Sequence, residues 1–458
     1  MTRTLPFGTL IAWYGDDYTG AAAVMEVLTF SGLPSVLFLD IPTPEQLAQF
    51  AGYRGIGIAG SARSRGPDWM EEHLPPVFDF LAGLEAPVTH YKICSTLDSS
   101  PTVGSIGRAT EIAFRHVPAE WAALLVAAPA IGRYQAFGNL FAVAGDTVYR
   151  LDRHPVMSRH PVTPMSEADV CSHIAQQTEL KTGLIPLTEL QSTRAAIAAL
   201  DLVREGGARV IAFDTVDGPT LSQTGRLIWE HGGTPTLAVG SQGVEYALVR
   251  HWQDTGLIVE EPPSPTVGAV EQMAVVAGSV SATTDAQIAW AEANGFSGHR
   301  IEPGMALETG NVKQAWIASQ IDAALQAGAC PIVYSARGPD DPHISAFREA
   351  AATAGLSMNE ANARLGSALG QILAGLVERG GFSRAAIAGG DTSSHATDQL
   401  GVHALTAIAA TIPGAALCRA HRDDNTPLEL ALKGGQMGTP DFFGRIRAGG
   451  GHAQGRMT

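Results

Sequence analysis

The chain has 458 residues, of which 45% are hydrophobic and 16% charged, with a formal net charge of −15. That length exceeds one ordinary hydrophobic core, so two domains are expected. The acidic balance argues against nucleic acid and anionic membrane as main partners, and any anion site must be locally positive against it.

The first element is an apolar strand over 11–15 that empties into Asp16, Asp17, Tyr18, Thr19 and Gly20. Two adjacent acids at a strand end are costly to bury together. Either one takes a proton from a substrate hydroxyl while the other caps the next helix, or the pair is a double N-cap. The runs SVLFLD, GIGIAG, VTHYKIC, ALLVAA and ARVIAFD follow, with helix-like segments at 21–31, 66–84 and 104–116. Strands alternating with helices predict parallel α/β layering, with ligands gathered beyond the carboxyl ends of the strands. Gly55–Gly60 satisfies GxGxxG, but its glycines lie inside the strand and no helix opens after them, which argues against a dinucleotide fingerprint.

Arg63 and Arg65 come next as anion contacts. The segment Lys92–Ser100 then sets a cation, the hydroxyls of Ser95 and Thr96, and Asp98 at a strand end. This suits a polyhydroxylated acid, although a hydroxyl-rich loop with a chance lysine is the plain alternative. Only four of the 30 basic residues are lysines, so those at 92 and 433 suggest positions that need a compact point charge. Cys94 has no recognisable base and is a poor nucleophile candidate. Arg133, flanked by Gly132 and Gly138 on an expected exposed loop, is either a carboxylate or phosphate clamp or an ordinary surface arginine.

Three prolines within 262–265 mark a linker over 259–268. Beyond it, the strand of MAVVAG opens into Ser279, Val280, Ser281 and Thr283, a turn that either holds phosphate or caps a helix. A later strand over 385–388 empties into Gly389, Gly390, Asp391 and Thr392, followed by a helical pattern over 395–405. A strand–glycine–helix junction directs main-chain N–H groups at an anion. His395, Asp398 and His403 read as helix decoration rather than metal ligands. Lys433, Gly434 and Gly435 form a last glycine turn able to close over a nucleotide. No GxxxxGK[ST] occurs, so an ATP site here is not a Walker loop. The stretch 444–458, rich in Gly and Arg, is expected to fray.

The four scattered cysteines suit a reducing compartment, and there is neither a signal-like start nor a long apolar run. The expected location is cytoplasmic.

Taken in order, these segments resemble the four-carbon acid sugar kinase family, once known as a domain of unknown function. The Asp-Asp-x-Thr-Gly-Ala opening matches Asp16–Ala21, and the Lys-x-Asp-Ser-Thr-Leu-Arg-Gly segment matches Lys92–Ser99 in part. The Pro-x-x-Gly-Arg loop matches Pro129 to Gly138, and the Gly-Ser-x-Ser turn matches Gly278 to Ile288. Gly389–Ser393 and Lys433–Gly438 complete the series.

The resemblance implies two α/β domains with largely parallel sheets and a sugar acid and ATP bound in the interdomain cleft. The corresponding division is a sugar-acid-binding domain at 1–258, the linker at 259–268, a nucleotide-binding domain at 269–445 and a flexible tail at 446–458. It implies ATP contacts from Ser279, Ser281, Gly389, Gly390, Asp391, Thr392, Lys433, Gly434 and Gly435, with Mg²⁺ bridging the phosphates. Asp17 or Asp16 would orient the attacking hydroxyl. Lys92, a catalytic candidate with the two acids, and Arg133 would hold the substrate carboxylate or the migrating phosphoryl, and Arg63, Ser95, Thr96 and Asp98 would complete the substrate site. No metal ligands are assigned, and homo-oligomerisation is left open.

Cys94 and Asp98 stand where the family pattern has Asp and Arg, which should change the acid accepted. A branched or 3-oxo acid of the 3-oxo-isoapionate type is the expectation, phosphorylated on a primary hydroxyl. The alternatives are a non-catalytic sugar-acid sensor and, resting only on the misplaced glycines, a nicotinamide-dependent oxidoreductase.

Overall fold

The computed structural model describes residues 4–160, 162–259 and 266–450. They form two compact units that divide within 260–265. Those six residues of the expected linker, and 451–458 of the expected tail, lie outside the described residues.

The first unit contains strands β1 (Ile11–Gly15), β2 (Ser35–Phe38), β3 (Gly55–Ala59), β4 (Val88–Lys92), β5 (Ala122–Leu125), β6 (Arg133–Ala136), β7 (Asn139–Ala144), β8 (Thr147–Arg150), β9 (Thr182–Ile185), β10 (Val210–Phe213) and β11 (Thr236–Gly240). Eight of them pair in parallel in the order β2-β3-β1-β4-β11-β5-β10-β9. β6, β7 and β8 make a separate antiparallel sheet. Strands β1, β4 and β11 are buried along their whole length because helices cover both faces, hence their unbroken apolar runs. The GxGxxG glycines serve packing: a Cβ on Gly57 would lie 2.0 Å from the Trp13 ring, and one on Gly60 2.0 Å from the Tyr14 hydroxyl.

The second unit contains β12 (Ala274–Ala277), β13 (Phe296–Arg300), β14 (Cys330–Tyr334), β15 (Arg384–Ala388), β16 (Val402–Ile412), β17 (Ala415–Arg422) and β18 (Leu428–Lys433). The order β13-β14-β12-β15-β18 is parallel, and β18, β17 and β16 continue it as an antiparallel meander.

Two expectations are corrected here. The helix placed over 395–405 spans Gly390–Asp398 instead; Gly401 turns the chain with φ +63° and Val402 opens β16, so His403 lies on a strand. Residues 444–448 are not frayed, because they belong to the helix Phe442–Ala448, in which Phe442, Phe443 and Ile446 are fully buried. The buried Arg384 holds that end in place, its Nη1 donating to the carbonyls of Ile446 (2.9 Å) and Arg447 (3.0 Å). Among the described residues, no helix is long and apolar enough to cross a membrane.

Candidate active site

In the first unit, three neighbouring strands deliver the charged residues. β3, β1 and β4 run in register, with Ala59 opposite Gly15 and Gly15 opposite Lys92, so their polar continuations emerge side by side. Arg63 donates to both oxygens of Asp16, from Nε at 3.2 Å and Nη2 at 2.6 Å, and from Nη2 to Asp17 Oδ1 at 2.8 Å. Asp17 also caps the helix Tyr18–Phe30, accepting from Gly20 N–H at 2.8 Å, while its Oδ2 accepts from the Thr19 hydroxyl at 2.7 Å. The helix cap is therefore Asp17 itself.

The two acids differ in environment. The Asp16 side chain is 3% exposed and that of Asp17 is 21%. Burial raises the Asp16 carboxyl above the ordinary aspartate value, against the pull of Arg63. Burial also pushes on Asp17, but Arg63 and Lys92 outweigh it and hold that carboxyl below the ordinary value. Lys92 is 2% exposed and donates to the Ile93 carbonyl at 2.7 Å. A Cβ on Gly20 would lie 2.9 Å from its Nζ, so only glycine admits the ammonium beside the cap.

Beyond β4, the Cys94 thiol contacts the Thr96 hydroxyl (3.0 Å), which donates to Asp98 Oδ1 (2.9 Å). Burial, with Asp98 adding, pushes the Cys94 thiol up to about 11, which keeps it protonated and unsuited to nucleophilic attack at neutral pH. Ser95 is half-buried beside them. Arg133 is not on an exposed loop: it opens β6, pairs with Ala142 and is half-buried. Burial lowers its guanidinium below the ordinary arginine value while Cys94 and Asp98 oppose that shift, which puts all three in one neighbourhood. Its Nη1 donates to the Ile131 and Gly132 carbonyls, both at 3.2 Å, while its Nε is buried with no partner among the described residues. The turn after Arg133 is pinned by fully buried Asp214, which accepts from Gly138 N–H at 2.9 Å and Leu187 N–H at 3.1 Å. Sequence reasoning missed Asp214, because its partners lie far away in the chain.

In the second unit, the ends of β12, β15 and β18 align in the same manner, Ala277 opposite Ala388 and Ala388 opposite Lys433. Their continuations are the three glycine- and hydroxyl-rich turns. A Cβ on Gly278 would lie 2.1 Å from Thr392 Oγ1, and one on Gly435 2.4 Å from Ser279 Oγ, so the turns pack backbone to side chain. Gly389 takes φ +130°, a conformation closed to other residues at low cost, and Gly390 opens the following helix with free space around it. Asp391 lies in the first turn of that helix. The Ser281 hydroxyl bonds the Gly435 carbonyl, and Thr284 Oγ1 donates to the same oxygen at 2.9 Å. Thr284 and Gln287, whose Nε2 donates to the Met437 carbonyl at 2.9 Å, fall within the Gly278–Ile288 match and are further members of this cluster. Lys433 is fully buried, and burial lowers its amine to about 7.

Residues 11–248 match the model of a sugar-binding N-terminal domain, and residues 274–443 that of a nucleotide-binding C-terminal domain. The chain is 43% identical to a 3-oxo-isoapionate kinase of Paraburkholderia graminis, over 97% of this chain and 95% of that one. It is 30% identical to a 3-oxo-tetronate kinase of Methylobacterium radiotolerans, over 94% and 96% respectively. Among solved structures, one from Salmonella typhimurium LT2 described as a tRNA synthase aligns over 95% of this chain and 98% of its own, with TM-score 0.76 and 24% identity, a likeness of fold alone.

Proposed function

From the premise that the chain belongs to the four-carbon acid sugar kinase family and is a sugar-acid kinase, we propose that it transfers the γ-phosphoryl group of ATP to a primary hydroxyl of 3-oxo-isoapionate or a close branched 3-oxo acid. The observation that carries this choice is the 43% identity to a 3-oxo-isoapionate kinase across both domains, against 30% for the 3-oxo-tetronate kinase compared above. The replacement of an acid and an arginine by Cys94 and Asp98 supports the same choice, since an acid at 98 accepts hydrogen bonds from hydroxyls rather than gripping a carboxylate.

In this reading the substrate carboxylate pairs with Arg133, whose buried Nε lacks a partner among the described residues. Asp98 and Thr96 receive the branch hydroxyls, with Ser95 at their side. Asp17, ionised and the more exposed of the two acids, accepts the proton of the attacking hydroxyl. Asp16 acts behind it as the counter-charge that fixes Arg63, and Lys92 holds Asp17 ionised. In the second unit Ser279, Ser281, Gly389, Gly390, Asp391, Thr392, Gly434 and Gly435 form the nucleotide cradle. The open space at Gly390 and the absence of side chains at the turn tips fit a phosphate chain.

Among the described residues, no group of three or more His, Cys, Asp or Glu could hold a metal. Mg²⁺ would arrive on the phosphates and need only one or two protein carboxylates. Phosphoryl transfer of this kind depends on alignment and charge neutralisation more than on covalent chemistry.

An ADP-release assay with 3-oxo-isoapionate and 3-oxo-tetronates tests the reading. Turnover should be highest on the branched acid. Equal or higher kcat/KM on a 3-oxo-tetronate would overturn the substrate choice, and silence with every acid alongside tight acid binding would favour a sensor.

A further inference from the structure

The ammonium of Lys433 sits at the end of β18, fully buried. Its three protons have three acceptors: the Gly434 carbonyl at 3.0 Å, Thr284 Oγ1 at 3.1 Å and the Gly435 carbonyl at 3.2 Å. A lysine so saturated has no donor left for a phosphate. What it does instead follows from peptide geometry. In a planar trans peptide, the carbonyl of one residue and the N–H of the next point in opposite directions. Two consecutive carbonyls drawn inward to one ammonium therefore turn two consecutive N–H groups, those of Gly435 and Gln436, outward.

The exposure agrees with this orientation. Lys433 is buried, Gly434 and Gly435 are half-buried, and Gln436 is exposed. Neither outward N–H has a partner among the described residues. The inner face is reinforced, because the Gly435 carbonyl also accepts from Ser281 and Thr284, and Met437 N–H closes the turn onto the Gly434 carbonyl at 3.3 Å. Successive N–H groups on one side of a turn make an anion-binding concavity.

Resting on the nucleotide reading above, we propose that Lys433 is a positioning residue and not a phosphate ligand. Its ammonium, with Ser281 and Thr284, locks the Gly434 and Gly435 carbonyls inward so that the amides of Gly435 and Gln436 receive the phosphates of the nucleotide. The charge of the lysine is spent inside the protein, and the phosphates meet main chain.

Calorimetric titration of ADP and of adenosine into the full-length protein and its variants tests this. Lys433→Met should weaken ADP roughly tenfold or more, since each lost hydrogen bond contributes a factor of about 2 to 12, and leave adenosine within about twofold. Thr284→Val, a milder change to the same carbonyl lock, should weaken ADP less. The double variant should lose less than the product of the two single losses, because both act through one peptide. In protein labelled with ¹⁵N-glycine, ADP should shift the Gly435 amide of the wild type and leave it nearly unmoved in Lys433→Met. ADP affinity unchanged in both single variants, equal losses of ADP and adenosine, or a wild-type Gly435 amide indifferent to ADP would each overturn the proposal. A wild type that binds neither ligand would sink the nucleotide reading itself, which is a different result from a wild type that binds while Lys433→Met binds equally well.

Discussion

The two units place their polar residues on the same scaffold, three adjacent parallel strand ends in register, yet use opposite chemistry there. Beyond β3, β1 and β4 the work falls to side chains, with Asp16 and Asp17 set against Arg63 and Lys92. Beyond β12, β15 and β18 it falls to main chain and small hydroxyls, with one lysine turned inward. A nucleotide presents the same phosphates to every enzyme that uses it, and backbone N–H groups are donors that substitution cannot remove. A sugar acid varies in its branching and oxidation, and side chains can be exchanged to follow it. On the proposed reading, variation should be tolerated at Cys94 and Asp98, whose side chains can follow the acid, and resisted at Gly278 and Gly435, where a Cβ would meet Thr392 and Ser279.

The largest test of this contrast is Asp17→Asn. If the first cluster supplies the acceptor for the hydroxyl proton, kcat should fall by about 10²- to 10⁴-fold with the KM for ATP unchanged, as read by steady-state ADP release. A full-turnover variant would remove Asp17 from the chemistry.

The matching test in the second unit is Gly278→Ala. Its Cβ would come 2.1 Å from Thr392 Oγ1, within contact that real Cβ atoms do not reach. Overpacking of this kind costs about 1–3 kcal/mol, and the displaced turn should raise the KM for ATP while leaving acid binding intact. An unaltered KM for ATP would show that the turn tolerates side chains and would break the contrast.

Smaller again is Asp98→Asn, expected to lower kcat/KM for the preferred acid about tenfold through weaker hydroxyl acceptance. Its ratio of activities on branched and unbranched acids should move with no change toward ATP. A uniform loss across acids would assign Asp98 to structure rather than to selection.

The frame of both sites was legible because fully buried strands read as continuous apolar runs and glycines punctuate their ends. Side-chain pairing was less so. Arg63 meets Asp16 across 47 residues, and nothing local in the sequence announces that its guanidinium pairs with both acids. Asp214 is silent for the same reason, holding a turn 76 residues away. β16 and β17 went unread for a different cause. Val402–Ile412 and Ala415–Arg422 are rich in alanine, a helix former, and only the meander with β18 makes them strands. Arg133 was read as loop because half-buried hairpins lack the apolar run that marks a central strand.

The last test separates the two clusters by the pH window in which each responds. Lys433 has an ordinary value of 10.5 and, through burial, about 7 in the fold. Between these values the unfolded chain carries a proton that the folded one lacks, so unfolding takes one up and stability rises with pH across that window. Below about pH 7 both states are protonated and the cost of burying the charge is felt in full. Asp17, also lowered, makes stability rise with pH in the same sense but at the acid end. Its lowered carboxyl contributes stability present above the ordinary aspartate value, and that contribution is lost as pH falls through the folded value. Denaturation midpoints of the wild type and Lys433→Met should therefore differ most below pH 7 and converge toward pH 10, with a slope of at most about 1.4 kcal/mol per pH unit for one proton. If the gap stays constant with pH, the ammonium keeps its proton throughout. Its three acceptors then outweigh burial, and the carbonyl lock holds at every pH at which the enzyme folds.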